Sequence, residues 1–260
     1  MLYLLIFIIG TAIGSFLNVV ICRLPEKKTI VKGRSECPHC KAVLGLKDLI
    51  PILSFFVLKG KCGKCKKKIS WQYPLVELAT GLLFVFLAYF YNIGESFANP
   101  LFYRDLVFVS ALVVIFMTDL RFYLIFDSVT FPMMVFAFAI NVFILSNSSN
   151  WLEVIGYLVL AGLVGGGFFY IQHFISKGKW IGGGDIRLGV LMGFMLGWPN
   201  IIVGIFFAYI IGAFVSIILL TGQKKKMKSQ VPFGVFLAIG TLIALLWGEG
   251  IMTWYLGLMI

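Results

Sequence analysis

Four carboxylates lie in or beside stretches too apolar to carry them without a reason: Glu77, Asp119, Asp127 and Asp185. Ionisable groups at membrane depth are costly and generally functional. The sharpest case is "IGGGDIRLGV" (181–190), where three consecutive glycines lead to Asp185. Glycines 182–184 permit close backbone approach and an irregular path into the membrane, tolerated where it lines a protein cavity. Asp119 closes the apolar run "VVIFMTD" and has no local structural role to explain it. Two carboxylates brought within a few ångströms cannot both ionise, so one keeps its proton as acid while the other activates water. That is aspartic-protease chemistry, and Asp119 with Asp185 is the pair that a common depth favours. A helix cap on a glycine-rich turn is the local alternative for Asp185. Glu77 also reads as a first-turn carboxylate on a helix dipole. Asp127, in "DSVT", reads as a helix N-cap, and eight helical residues, about 12 Å, would part it from Asp119.

A second constellation is made of thiols. "CPHC" (Cys37, Cys40) and "CGKC" (Cys62, Cys65) are two C-x-x-C knuckles separated by 21 residues, just beyond the common zinc spacing. In a reducing compartment such a set suits tetrahedral zinc held by four thiolates, a closed and therefore structural site. Redox-active or uncoordinated thiols are the competing reading. His39 sits inside a knuckle whose ligand positions are already taken, and is expected to be a bystander. Cys22, at the end of an apolar run, reads as a small buried residue.

The elements that must position these groups follow from composition. Of 260 residues, 60% are hydrophobic and 13% charged, more apolar surface than a soluble domain can hide. Apolar runs at roughly 2–22, 74–92, 102–118, 125–146, 152–174, 200–221 and 232–258 are long enough to span a bilayer, and a shorter one at about 186–199 follows the glycines. The expectation is an all-α polytopic membrane protein of about eight transmembrane helices with a small cytoplasmic four-cysteine zinc-binding loop domain. Its parts are a first transmembrane helix (1–22), the loop domain (23–72) and a transmembrane domain (73–260) holding the carboxylate pair. The first run lacks a basic n-region and a small-residue cleavage site, so it reads as a retained span rather than a signal peptide. Its Gly10 and Gly14 have the spacing that lets helices pack closely.

The net charge of +11 does not point to nucleic acid. Thirteen of the 22 Lys and Arg lie between Arg23 and Lys68. Threading eight spans puts Arg121, Lys177, Lys179, Arg187 and the run Lys224, Lys225, Lys226, Lys228 on that same side, with Arg104 opposite. Basic loops stay in the cytoplasm, which places both termini outside and the carboxylate pair at the cytoplasmic ends of its spans. Attraction to lipid head groups is a by-product. Of two histidines, His39 and His173, neither points to a Ser-His-Asp arrangement, and His173 reads as a buried or interfacial polar residue. The glycines of "GLVGGGFFY" (162–170) lie inside an apolar span and follow no strand, so they form no dinucleotide loop.

Together these stretches resemble the prepilin leader peptidase/N-methyltransferase family, bifunctional GxGD-type membrane aspartyl proteases. The resemblance covers nearly the whole chain: "GSFLNVVICRLP" (14–25), the two knuckles with "DLIPILSFFVLKGKC" (48–62), "ISWQYPLVELATG" (69–81), "DLRFYLIFD" (119–127), "GGGDIRLG" (182–189) and "VPFGVFLAIG" (231–240). Two departures show: Phe126 stands where the family often has proline, and Arg187 where lysine is usual. Neither touches the carboxylate pair, so altered packing or substrate preference is expected rather than lost activity.

The resemblance implies catalysis by Asp119 and Asp185. It also implies removal of the basic leader from type IV prepilins and pseudopilins after glycine, at the cytoplasmic face of a bacterial inner membrane. S-adenosylmethionine-dependent methylation of the new N-terminus, commonly phenylalanine, would follow. No S-adenosylmethionine fold is recognisable in the sequence. A peptidase without methyltransferase activity, a transporter with intramembrane acids and a zinc-ribbon membrane scaffold remain as rival readings. The acids cluster at one face and no internal repeat is evident, which tells against a transporter.

Overall fold

The computed structural model describes residues 1–30, 33–95, 98–146, 150–221 and 231–258. The basic run at 224–228 lies outside them. The described residues form helices joined by turns, with two isolated bridges, Glu36 to Val43 and Lys61 to Lys68, in place of any sheet. Helices α1 (Leu2–Arg23), α3 (Gln72–Phe90), α4 (Pro100–Phe122), α5 (Asp127–Leu145), α6 (Trp151–Ser176), α8 (Asn200–Thr221) and α9 (Phe233–Gly257) are each long and apolar enough to cross a membrane. The eighth expected element forms as α7 (Gly183–Leu196), only 14 residues. Between α1 and α3 a 3-10 turn (Leu46–Leu49) and the short α2 (Leu53–Val57) separate the two cysteine knuckles.

The chain divides into two compact units, Met1–Val114 and Ile115–Ile260. In the first, α1 packs on α3 at backbone distance, as the spacing of Gly10 and Gly14 predicts. A Cβ at Gly10 would lie 2.8 Å from Gly81 Cα, and one at Gly14 would lie 2.8 Å from Glu77 Cα. Away from this seam, Asp105 of α4 is wholly buried. It accepts from the Tyr91 hydroxyl at 2.5 Å and from Arg104 Nε at 2.7 Å. Arg104, the basic residue expected on the opposite face, is thus neutralised by its own neighbour, a pairing that the sequence reading did not register.

In the second unit α7 packs against α5, α6, α8 and α9. This cover explains how a helix with too few residues for a full span stays apolar, with Leu188, Leu191 and Met192 fully buried. The glycines of α6 serve that packing: a Cβ at Gly165 would lie 2.2 Å from the Gly189 carbonyl oxygen. Asn141 of α5, also buried, donates to the Phe194 carbonyl at 2.7 Å, capping the C-terminal turn of α7.

Candidate functional site

The two knuckles fold alike. Cys37 N–H donates to Ala42 O and Lys41 N–H to Cys37 O, while Cys62 N–H donates to Lys67 O and Lys66 N–H to Cys62 O. Lys41 and Lys66, each just after its second cysteine, turn into the left-handed region at φ 55° and 60°. These tight turns aim four sulfurs at one point, with all four Sγ atoms of Cys37, Cys40, Cys62 and Cys65 within 4.8 Å of one another. Cys37 Sγ and Cys65 Sγ are 3.9 Å apart. Tetrahedral thiolate–zinc bonds of about 2.3 Å require sulfurs about 3.8 Å apart, so the set fits a metal of that size. Backbone N–H groups of Cys65 and Lys64 donate to the Cys62 sulfur and draw its thiol down to about 6, while burial and hydrogen bonds with the neighbouring thiols push Cys65 up to about 11. His39 is exposed and stands outside the group. Cys22 is half-buried rather than buried, 3.5 Å from the Tyr73 hydroxyl.

The carboxylates are placed by helix ends. Asp119 lies three residues before the end of α4 and is 6% exposed. Its Oδ2 accepts the Val235 N–H at 3.1 Å, with the Gly234 amide also in reach. Gly234 and Val235 belong to the first turn of α9, after the N-cap Pro232. Their N–H groups have no intrahelical partner, and the positive end of the helix dipole favours an anion there. This is the role of "VPFG": proline starts the helix, and glycine leaves room for the carboxylate. A Cβ at Gly234 would lie 2.9 Å from Asp119 Oδ2.

Asp185 is half-buried in the first turn of α7, where its Oδ2 accepts the Gly182 N–H at 3.0 Å. The cap that competed with catalysis as an explanation is therefore present, and it uses one oxygen. The glycines divide their work. Gly184 meets Ile125, whose side chain also reaches Gly234, so Ile125 is wedged between the backbones that flank the two carboxylates. The irregular backbone expected at 182–184 falls earlier, at Lys177 (φ 50°) and Gly178 (φ 75°). There His173, half-buried, ties the loop to α6 by donating from Nδ1 to the Ile181 carbonyl at 2.7 Å.

Two expectations change. Asp127 is not the N-cap of α5; Phe126 is, and its carbonyl accepts from Val129 and Thr130. Asp127 instead accepts from Arg187 Nη1 at 2.5 Å, both side chains partly exposed. The helix also stops at Phe122 and the chain turns at Tyr123 (φ 56°), so a helical rise does not measure its separation from Asp119. Glu77 is the sixth residue of α3, beyond the first turn; it is buried and accepts the Ile52 N–H at 2.7 Å. The sequence reading missed the α9 amides and Tyr209, whose hydroxyl donates to Gln172 Oε1 at 2.8 Å and feels the charge of Asp185. Only the amides had a signal, the Pro-Phe-Gly helix start.

Comparison with known proteins agrees on both units. Residues 8–91 match the profile described as the bacterial peptidase A24 N-terminal domain, and residues 106–217 match the type IV leader peptidase family. A protein of Bacillus subtilis (strain 168) named prepilin leader peptidase/N-methyltransferase is 34% identical over 257 residues, 97% of each chain. Proteins of the same name from Stutzerimonas stutzeri and Aeromonas hydrophila are 31% and 32% identical. These two alignments span 96% and 97% of this chain and 92% and 93% of the relatives. No solved structure matches. With two matching profiles and full-length relatives above 30% identity, the chain belongs to the prepilin leader peptidase/N-methyltransferase family.

Proposed function

We propose that this protein is an aspartic endopeptidase that removes the leader of type IV prepilins and pseudopilins after glycine, with Asp119 and Asp185 as its catalytic pair. The observation that carries the reading is geometric: Asp119 is buried against the first turn of α9, and Ile125 lies against both Gly234 beside it and Gly184, the residue before Asp185. The pair shares one proton around a water. The ionised carboxylate takes a proton from the water as its oxygen bonds the scissile carbonyl carbon, and the protonated one gives its proton to the carbonyl oxygen. The proton gained by the first then passes to the amide nitrogen as the C–N bond breaks, while the second carboxylate takes back a proton from one hydroxyl of the tetrahedral carbon, releasing the new carboxyl group and restoring the pair. The amides of Gly234 and Val235 hold one Asp119 oxygen fixed through both steps. Incubation with synthetic prepilin segments, read by mass spectrometry, tests this: a product beginning at the residue after glycine is expected. Cleavage elsewhere, or none, overturns it.

Methylation of the new N-terminus by S-adenosylmethionine is part of the proposal and rests on the relatives' name. In the first unit buried Asn18 donates to the Tyr73 carbonyl and buried Glu77 accepts the Ile52 N–H. No residues are assigned to that cofactor. A further methyl increment in the same mass spectra reports the activity.

The four sulfurs would hold a structural zinc ion, supplying folding energy that a roughly fifty-residue loop cannot draw from its own core. Purified protein should carry about one zinc per chain. Cys37→Ser or Cys62→Ser should lose the metal, expose the loop to proteolysis and damage methyl transfer more than leader cleavage. A zinc-free protein with a disulfide between knuckles would sink this assignment.

The distribution of basic residues supports a topology in which the loop domain and the carboxylate pair face the cytoplasm, in a bacterial inner membrane. Accessibility labelling should find positions 64 and 177 reachable from the cytoplasm and position 95 from outside. Labelling of position 177 from outside would separate the knuckles from the carboxylates and overturn the topology.

A further inference from the structure

Lipid covers the apolar faces of membrane helices, but a polar loop between two spans should show few large apolar side chains. The segment between the knuckles breaks that expectation. Leu49, Ile50, Leu53, Phe56 and Val57 are all exposed, Val57 by 79%, and Trp71 follows at the start of α3. Phe55 alone turns inward, its ring 4.8 Å from that of Trp71.

The depth of this segment is fixed by one hydrogen bond. The Ile52 N–H donates to Glu77 Oε2 at 2.7 Å, and Glu77 is the sixth residue of α3, about 8 Å along the axis from Gln72. Helix α3 has 19 residues, a length of about 28 Å set against a hydrocarbon core of about 30 Å. Almost none of it lies outside the bilayer, so the level of Glu77, and with it Ile52, falls inside the apolar boundary. Two features agree. Ile52 is held at φ 62°, a conformation that β-branched residues rarely adopt and that persists where surroundings impose it. Its backbone N–H is also met by a protein acceptor, as backbone at membrane depth requires. Lys47 and Lys59 flank the apolar stretch and are exposed, placed as the cationic rim of an interfacial segment is.

We propose that residues 46–58 are a lipid-inserted interfacial segment. Its apolar side chains enter the boundary between head groups and acyl chains of a phospholipid bilayer, and Glu77 pins it through Ile52. The four-cysteine centre is thereby carried on the membrane surface rather than free in solvent. The proposal rests on the membrane-spanning character of α3 and is independent of the catalytic assignment.

The test uses the full-length protein in nanodiscs of phosphatidylethanolamine and phosphatidylglycerol doped with lipids carrying a quencher near the head group. An environment-sensitive fluorescent amino acid replaces Phe56, or Lys64 in the second knuckle, or the lipid-facing Leu82. Insertion of about 5–10 Å should quench the label at 56 at least about threefold more than at 64 and about as strongly as at 82. Equal quenching at 56 and 64 overturns the proposal. Glu77→Leu removes the acceptor and should bring the signal at 56 toward that at 64, with 82 unchanged as proof of an intact span; Glu77→Gln, which can still accept from Ile52, should restore it. Quenching at 56 untouched by Glu77→Leu would overturn the pinning role. A label at 56 that lipid leaves unquenched and that only an added prepilin peptide shields would assign the face to peptide, against the proposal.

Discussion

Asparagine at position 119 or 185 is expected to abolish leader cleavage, a loss of at least about a thousandfold, while the protein remains inserted and metal-loaded. Asparagine keeps the shape and the acceptor oxygen of each carboxylate. The amide oxygen introduced at position 119 can still receive the Val235 N–H, and the one at position 185 the Gly182 N–H, so neither α9 nor α7 loses the contact made at its N-terminus. What disappears is proton exchange, which acid–base catalysis requires and which contributes about 10²–10⁴-fold per group. The double variant should be no worse than either single one, because the two groups act as a unit. Asp127→Asn supplies the contrast. It weakens a partly exposed ion pair with Arg187, worth about 1 kcal/mol or less, and should cleave within a few-fold of the unaltered protein. Cleavage near the normal rate by either Asp119→Asn or Asp185→Asn would refute the pair. Selective loss in Asp127→Asn would move the partner role to that residue.

What the sequence discloses and what it withholds divide by range. Spans are written in runs of apolar residues, and the four-cysteine cluster in the three-residue spacing of each knuckle; both signals are local, and both appear in the folded chain. Asp119 and Asp185 stood out because a carboxylate among apolar residues is conspicuous at any distance. Asp105 is not singled out although it lies inside the run 102–118 and is wholly buried, because Arg104 beside it offers a ready partner for its charge. The partner of Asp127 could not be read locally. Its ion pair with Arg187 joins residues 60 apart, whereas capping is a nearest-neighbour rule that "DSVT" satisfies on paper. The brevity of α7 is legible as the shorter apolar run at about 186–199, but the neighbours that cover it on several sides are not. The amides that hold Asp119 lie 116 residues downstream and have no side chain to betray them.

Those amides give the second large expectation. Gly234→Ala should lower the turnover of leader cleavage by about a hundredfold, with KM little changed. The added methyl group would lie 2.9 Å from Asp119 Oδ2, 3.1 Å from its Cγ and 3.1 Å from Ile125 Cδ1, so it cannot be accommodated without displacing the carboxylate, the wedge between the two glycines, or both. Displacement of a reacting group by about 1 Å costs about a hundredfold. The helix itself should not suffer, since alanine is a better helix former than glycine by about 1 kcal/mol. Lost cleavage without lost insertion or metal therefore isolates the effect at the carboxylate. Gly250→Ala is the control on the same helix: nothing lies within 4 Å of its Cβ position, and cleavage should stay unchanged. Ile125→Val removes the Cδ1 atom that confines the new methyl from the other side. Combined with Gly234→Ala, it should recover cleavage several-fold, an outcome that a general weakening of α9 would not produce. Normal turnover in Gly234→Ala would show that the first turn of α9 does not position Asp119, and the role assigned to "VPFG" would fall with it.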